Sequence, residues 1–210
     1  MITGRRIVSL ESASTDYISL SEAKAHLRVT HSSDDSYITT LITASIEMAS
    51  HYVGYNIIES VVRYGFAELS GQPAMVNPLN GAPLTVGNYL RVPSRVISLD
   101  HLYYVNESNT LTEFSAADYI DSPDMLSDFG LNIYINSLPT SLTDDNTKYI
   151  AEVTEGFTIA AFPEVVKIAC MLMIAQYYDN RQNIIVGTSA NDMPFGANHI
   201  LDKYKISVFG

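Results

Sequence analysis

The chain has 210 residues, of which 47% are hydrophobic, and it carries a formal net charge of -11. That length is enough for one large domain or two small ones with a buried core. The single cysteine, Cys170, excludes an internal disulfide, and neither a signal peptide nor a membrane span is predicted. We therefore expect a soluble protein made in a reducing compartment.

The acidic residues are concentrated in one segment. Residues 100–155 contain eleven Asp or Glu residues and one basic residue, Lys148. A protein that grips a nucleic-acid backbone needs a basic surface that releases counterions, so tight DNA binding is not predicted. Two interpretations of the segment remain open: a solvated surface that keeps the protein soluble, and a surface that prevents DNA from adhering.

Two helices are predicted near the N-terminus. In "SLSEAKAHLRV", Ser19 and Glu22 have the spacing of a capping box. In "HSSDDSYITTLITASIEMASHYVGY", apolar residues recur every three or four positions, and Gly54 suits the left-handed position after a helix.

From about Glu59 the hydrophobic period changes to two, which is typical of strands. The predicted strand segments are "SVVRYGFAEL", "YLRVPSRVISLDHLYYV", "LNIYIN" and "KYIAEVTEGF". Tyr103 and Tyr104 are adjacent in one of them, so we expect one ring to face the core and the other to face solvent or a partner.

The helical pattern returns at Pro163, and only Lys167 is polar between Val165 and Ala175. A helix that is apolar nearly all round must be covered on more than one side, by its bundle or by a neighbouring subunit. Asp192 and Pro194 predict the start of a last helix.

These elements predict an α+β fold, with a helical bundle formed by the N- and C-terminal helix pairs and an inserted antiparallel β domain. The predicted boundaries are 18–56 plus 160–207 for the bundle, 57–159 for the β domain and 1–17 for an N-terminal arm. The segment "NRQNIIVGTSANDMPFG" lacks the Lys-Ser/Thr of a phosphate loop, and we interpret it as a joint between two helices.

No catalytic, cofactor-binding or metal site is predicted. The five histidines are scattered without the spacing of a zinc site, and Cys170 lies in the apolar run "VVKIACMLMIA", where a buried thiol is expected. The spacing of Asp121, Asp124 and Asp128 does not fit a helix-loop-helix calcium loop. No Gly-x-Ser-x-Gly motif is present.

The chain resembles the head-to-tail connector (head-completion or adaptor) proteins of long-tailed phages and prophages, in the longer form with a β insertion. Family members open with a "leu-x-glu-ala-k-x-his-leu-arg-v" helix and an acidic cap, and close with Tyr-x-x-Arg and Pro-x-Gly. Here these motifs fall on Leu20 to Val29, on Asp34 and Asp35, on 178–181 and on 194–196. The chain departs from the family in lacking tryptophan and in its longer acidic segment.

The resemblance implies a structural virion protein at the head-to-tail junction, made in the bacterial host cytoplasm, without catalysis, cofactor or membrane. It implies a ring, usually a dodecamer, that docks on the portal, joins it to a neck or tail protein and lets DNA pass without specific binding. The candidate subunit or portal contacts are Met171, Met173, Ile184, Ile185, Val186 and Phe195. The candidate DNA-repelling residues are Asp118, Asp121, Asp124 and Asp128.

Two other functions remain as alternatives. The β domain could be a non-catalytic ligand- or receptor-binding module, with tyrosines and acids around a shallow groove. A hydrolase with an unrecognised triad would instead need a convergent pocket and a perturbed histidine.

Overall fold

A computed structural model describes residues 2–10, 13–69, 75–76, 83–84, 88–123, 130–181 and 195–206. The chain divides into two compact units. Residues 1–9 and 61–155 form the first, here called the β unit, and residues 10–60 and 156–210 form the second, the helical unit. Helices and antiparallel strand pairs occur together, so the α+β class is confirmed.

In the part of the chain that the structure describes, the helical unit contains five α-helices. They are α1 (Ser14–Tyr17), α2 (Leu20–Leu27), α3 (Asp35–Val53), α4 (Glu164–Asp179) and α5 (Phe195–Leu201). The predicted capping box begins α2: Glu22 N–H donates to the Ser19 hydroxyl at 3.3 Å, and Ser19 N–H donates to the Glu22 carboxylate at 2.8 Å. Gly54 ends α3 with a φ of 90°, as its sequence position indicated.

The core of the helical unit is built largely from α3 and α4. Helix α3 buries one face whose side chains recur at three- and four-residue spacings, as predicted: Ile38, Leu41, Ile42, Ser45, Ile46, Ala49 and Val53. Helix α4 packs against α3 and α5 and buries Val166, Ala169, Cys170, Met173 and Ile174. Near α1, the Tyr17 and Phe162 rings meet edge to face at 5.0 Å.

Over the ranges that the structure describes, the β unit contains ten strands. They are β1 (Ile2–Leu10), β2 (Ser60–Phe66), β3 (Met75–Val76), β4 (Pro83–Leu84), β5 (Tyr89–Val92), β6 (Val96–Val105), β7 (Leu111–Glu113), β8 (Tyr119–Pro123), β9 (Leu131–Ile135) and β10 (Tyr149–Glu155). One sheet has the order β1-β2-β10-β6-β7, a second has β5-β9-β8, and β3 pairs with β4. The β6–β10, β6–β7, β5–β9 and β8–β9 pairs are antiparallel.

Both larger sheets contribute to one hydrophobic core. Strands β2, β9 and β10 alternate buried and partly buried residues, which is the period-two pattern of their sequences. The core includes Val62, Leu90, Leu102, Ile133 and Val153. Tyr104 packs against this core, whereas the Tyr103 ring lies near the guanidinium of Arg63, so the predicted division of the two tyrosines is confirmed.

The segment predicted only as an N-terminal arm contains the edge strand β1, and Arg5 of β1 binds a buried carboxylate. Glu155, at the end of β10, is 0% exposed. It accepts hydrogen bonds from Arg5 and, at 2.6 Å, from the Tyr64 hydroxyl. Burial and the nearby Glu155 raise the pKa of Tyr64, so Tyr64 stays protonated and donates.

The two segments of the helical unit that flank residues 61–155 in the chain, 56–58 and 156–157, lie side by side. Phe157 N–H donates to the Ile57 carbonyl at 3.0 Å, and Ile58 and Phe157 form a parallel bridge. Gly156 has a φ of 103°, and a Cβ on it would lie 2.4 Å from the Ile58 carbonyl oxygen. Only glycine fits this close approach.

Within the described residues, no helix is both long and apolar enough to cross a membrane.

Candidate assembly surfaces

The first candidate surface is an apolar stripe on the outer side of α4. Val165 and Ile168 are 47% and 50% exposed, and we call these two residues the α4 ridge. One turn later Leu172 is partly buried, and its Cδ1 would lie 3.5 Å from a Cβ on Gly196 of α5. Ile159, in the 3-10 turn before α4, is also exposed. Helix α4 is therefore covered by α3 and α5 on its inner side, although its sequence is nearly all apolar and much of its outer side faces solvent.

The second candidate surface is a shallow apolar groove on α2. It has a volume of about 610 Å³ and is lined by Leu20, Ser21, Lys24, Ala25 and Val29; we call it the α2 groove. The Lys24 ammonium lies 2.5 Å from the Asp35 carboxylate at the start of α3. That ion pair fixes one edge of the groove.

The Tyr-x-x-Arg motif forms a clamp between the end of α4 and the start of α3. The Arg181 guanidinium lies 4.6 Å from the centre of the Tyr37 ring and 5.0 Å from that of Tyr178. Its Nη2 donates to the Asp34 carboxylate at 2.8 Å, and the Tyr178 hydroxyl donates to the same oxygen at 2.6 Å. These two hydrogen bonds lower the pKa of Asp34, and the one from Tyr178 has the larger effect.

The third candidate surface is an acidic end of the β unit. The loop before β10 packs on the β6–β7 turn, because Thr143 N–H donates to the Val105 carbonyl at 3.0 Å and the Thr143 hydroxyl donates to Asn109 at 2.7 Å. Glu107 is exposed in that turn, and Asp144 and Asp145 are exposed in the loop. These three acids were not named from sequence; the signals that could have found them are the turns "NESNT" and "TDDN".

The residues named from sequence have different environments. Met173 is 0% exposed in the core of the helical unit, so the folded chain does not present it to a partner, whereas Met171 is half-buried. Asp121 is exposed and Asp118 is half-buried. Ile184, Ile185, Val186, Asp124, Asp128 and the joint at 182–194 lie outside the described residues, as does the side chain of Phe195. The exposed Val165 and Ile168 were not singled out, because periodicity cannot rank the sides of an all-apolar helix.

Among the described residues, the reactive side chains considered from sequence are not arranged for catalysis. Cys170 is buried, and burial raises the pKa of its thiol to about 12, which removes the thiolate a nucleophile needs. His101 is exposed, and its hydrogen bond to Glu113 raises its pKa. Across the described residues, no group of three or more His, Cys, Asp or Glu side chains is arranged to hold a metal ion.

A shallow groove in the β unit differs from the tyrosine- and acid-lined groove that the ligand-binding alternative requires. This groove, about 570 Å³, is lined by Val105, Asn109, Leu111, Asp145, Asn146, Thr147 and Ile150. It contains one acidic residue and no tyrosine. Tyr89 and Tyr134 pair across β5 and β9, with ring centres 5.8 Å apart, and stand beside the exposed Ile120 of β8.

A comparison with protein families finds a match for the N-terminal part of the chain. Residues 17–78, which include α2, α3 and β2, match the model of the family described as phage gp6-like head-tail connector protein. The resemblance to phage head-to-tail connectors is thereby confirmed. A comparison with curated proteins finds no match.

Solved structures share the fold over nearly the whole chain. The neck of an empty GTA particle computed with C6 symmetry matches with a TM-score of 0.67 and 20% identity, covering 97% of this chain and 95% of that one. The neck of a native GTA particle computed with C12 symmetry matches with a TM-score of 0.62 and 20% identity, covering 98% and 94%. The virion of a native gene transfer agent particle matches with a TM-score of 0.62 and 21% identity, covering 96% and 94%.

Proposed function

We propose that this chain is a structural virion protein of a tailed phage or prophage that forms a ring at the head-to-tail junction. The observation that carries the proposal is the shared fold with particle necks, which covers 97% of this chain in one comparison. The connector-family match over residues 17–78 supports it independently. In this role the chain is not an enzyme and uses no cofactor.

Self-association is supported by the α4 ridge. Val165 and Ile168 leave apolar side chains in water in the single chain, and covering such a stripe is a general driving force for assembly. Two of the matched necks were computed with sixfold and twelvefold symmetry. We infer a ring, with twelve copies as the expected number, that docks on the portal and presents another face to a neck or tail protein.

Further contacts follow from the sequence. Met171, the stretch Ile184 to Val186 and Phe195 remain candidate contacts with a ring neighbour or the portal. Met173 is a poorer candidate, because reaching a partner would require it to leave its core position. The protein would be made in the host bacterium and would act as part of the complete particle.

The acidic end of the β unit suits a channel through which DNA passes. Glu107, Asp144 and Asp145 are exposed there, and Asp118 and Asp121 add charge on and beside β8. A carboxylate-rich wall repels phosphates, so DNA would pass without adhering. If these acids line the channel, replacing them with lysines will slow DNA passage and make DNA binding by the ring measurable and salt-dependent.

The ring proposal is tested by measuring the mass of the purified protein alone and with its cognate portal protein. We expect a complex that contains one portal ring and several copies of this chain. An Ile168→Asp variant should self-associate less readily than the wild-type protein. Ile97→Asp, at a position 46% exposed on β6, is the matched control and should self-associate normally. A monomer that ignores the portal at micromolar concentration would refute the proposal.

A further inference from the structure

If the proposed ring is right, each subunit must carry two different contact faces. A closed ring with more than two copies uses head-to-tail interfaces, in which one face of each copy meets another face of the next. Among its described residues, the helical unit presents the exposed apolar side chains of the α4 ridge and the shallow apolar α2 groove.

The two surfaces lie on different helices, and each is turned largely away from the ion pair that joins them. The Lys167 ammonium of α4 lies 3.1 Å from the Glu22 carboxylate of α2. At about 100° per residue, Ile168 and Val165 lie about 100° and 160° around α4 from Lys167. By the same geometry, Leu20 and Lys24 each lie about 160° around α2 from Glu22, Ser21 about 100° and Ala25 about 60°. The two surfaces therefore do not overlap.

The borders of the two surfaces also have complementary charge. Glu164, with its side chain 81% exposed, adjoins the α4 ridge and lies 3.7 Å from the Lys167 ammonium. His26 and Arg28 are exposed near the end of α2, beside Val29 of the groove. An apolar ridge seated in this groove would bring a carboxylate towards basic side chains, and such complementarity fixes the orientation of a contact.

We propose that the α4 ridge of one copy of this chain seats in the α2 groove of the next copy, so that the ring closes through repeated α4-to-α2 contacts. The occupant of the groove is a second copy because one chain carries both complementary surfaces. Because the two surfaces lie on different helices and share no residue, every copy can use both at once. A pairing of like surfaces would stop at a dimer.

Engineered cysteines test this pairing, and the buried Cys170 gives little background. One variant carries both Ile168→Cys and Ala25→Cys, and two others carry one substitution each. The proteins are oxidised mildly, with the cognate portal present, and separated on a non-reducing gel. We expect a ladder of covalent multimers from the double variant, no ladder from either single variant, and only dimers from a mixture of the two single variants.

Two further pairs complete the design. Val165→Cys with Ser21→Cys tests the same contact at other exposed positions, in case the first pair perturbs folding. Ile97→Cys with Ala25→Cys is the matched control, because Ile97 is about as exposed as Ile168 but lies on β6; it should give no ladder.

The mass of each reduced sample separates failure of the pairing from failure of the ring. Rings without a ladder from either α4–α2 pair would overturn the pairing and leave the ring proposal standing. Dimers from Ile168→Cys alone would indicate a contact between like faces and overturn the pairing. If the wild-type protein forms no ring even with the portal, both proposals fail.

Discussion

Replacing Gly156 with alanine should destabilise the protein far more than the same change at Gly54. Both glycines have positive φ values, 103° and 90°. A side chain in such a conformation costs about 1–2 kcal/mol, and this cost is common to both sites. At Gly54 nothing lies within 4 Å of the new Cβ, so little else is expected.

At Gly156 the new Cβ would also meet fixed backbone atoms. It would lie 2.4 Å from the Ile58 carbonyl oxygen and 2.8 Å from that of Asn56, where ordinary contacts begin at 3.4 Å. The two segments must separate by roughly 1 Å, which strains the Phe157–Ile57 hydrogen bond, and overpacking of this kind costs about 1–3 kcal/mol. We therefore expect a loss of about 2–5 kcal/mol for Gly156→Ala and about 1–2 kcal/mol for Gly54→Ala.

Urea denaturation followed by circular dichroism measures both changes. Gly4→Ala is a second control, because that glycine has no crowded neighbour and no positive φ. Equal losses at Gly156 and Gly54 would refute the argument that a close backbone approach, rather than φ alone, requires glycine at position 156.

Two further stability predictions follow from the polar contacts. Glu155→Gln should lower the free energy of unfolding, measured by urea denaturation, by about 2–3 kcal/mol, because it weakens charge-assisted hydrogen bonds to a buried group. The control Glu152→Gln, in the more exposed pair with Arg63, should cost about 1 kcal/mol or less. Equal costs would contradict the role given to Glu155. The hydrogen bonds of Ser19 hold the pKa of Glu22 at about 2, below its ordinary value of 4.5. A pKa lowered by folding adds stability that is present above pH 4.5 and lost as the pH falls towards 2, so Glu22→Gln should reduce the loss of stability across this window in acid titrations. An unchanged pH profile would show that the capping box does not contribute in this way.

Local features of the fold could be predicted from sequence. The capping box of α2, the periodic face of α3 and the alternation of β2, β9 and β10 depend on neighbours a few residues away. Strand β1 was missed because "ITGRRIVSL" is interrupted by polar residues and its partner β2 is distant in the chain. The burial of Glu155 was missed for a similar reason, since its partner Arg5 lies 150 positions away.

The candidate assembly residues depend on burial that the sequence of α4 does not indicate. An all-apolar helix predicts burial on several sides but does not indicate which side the chain itself covers. Met173 therefore could not be distinguished from Ile168, although the first is buried and the second is half exposed. Only the packing of α3 and α5 against α4 separates them.

The central claim, a portal-docking ring, is tested most directly by imaging. Negative-stain electron microscopy of the purified protein mixed with its cognate portal should show an added ring, coaxial with the portal, whose end views have cyclic symmetry. Portal rings that keep their original outline, with this protein free and monomeric in the same sample, would contradict the account.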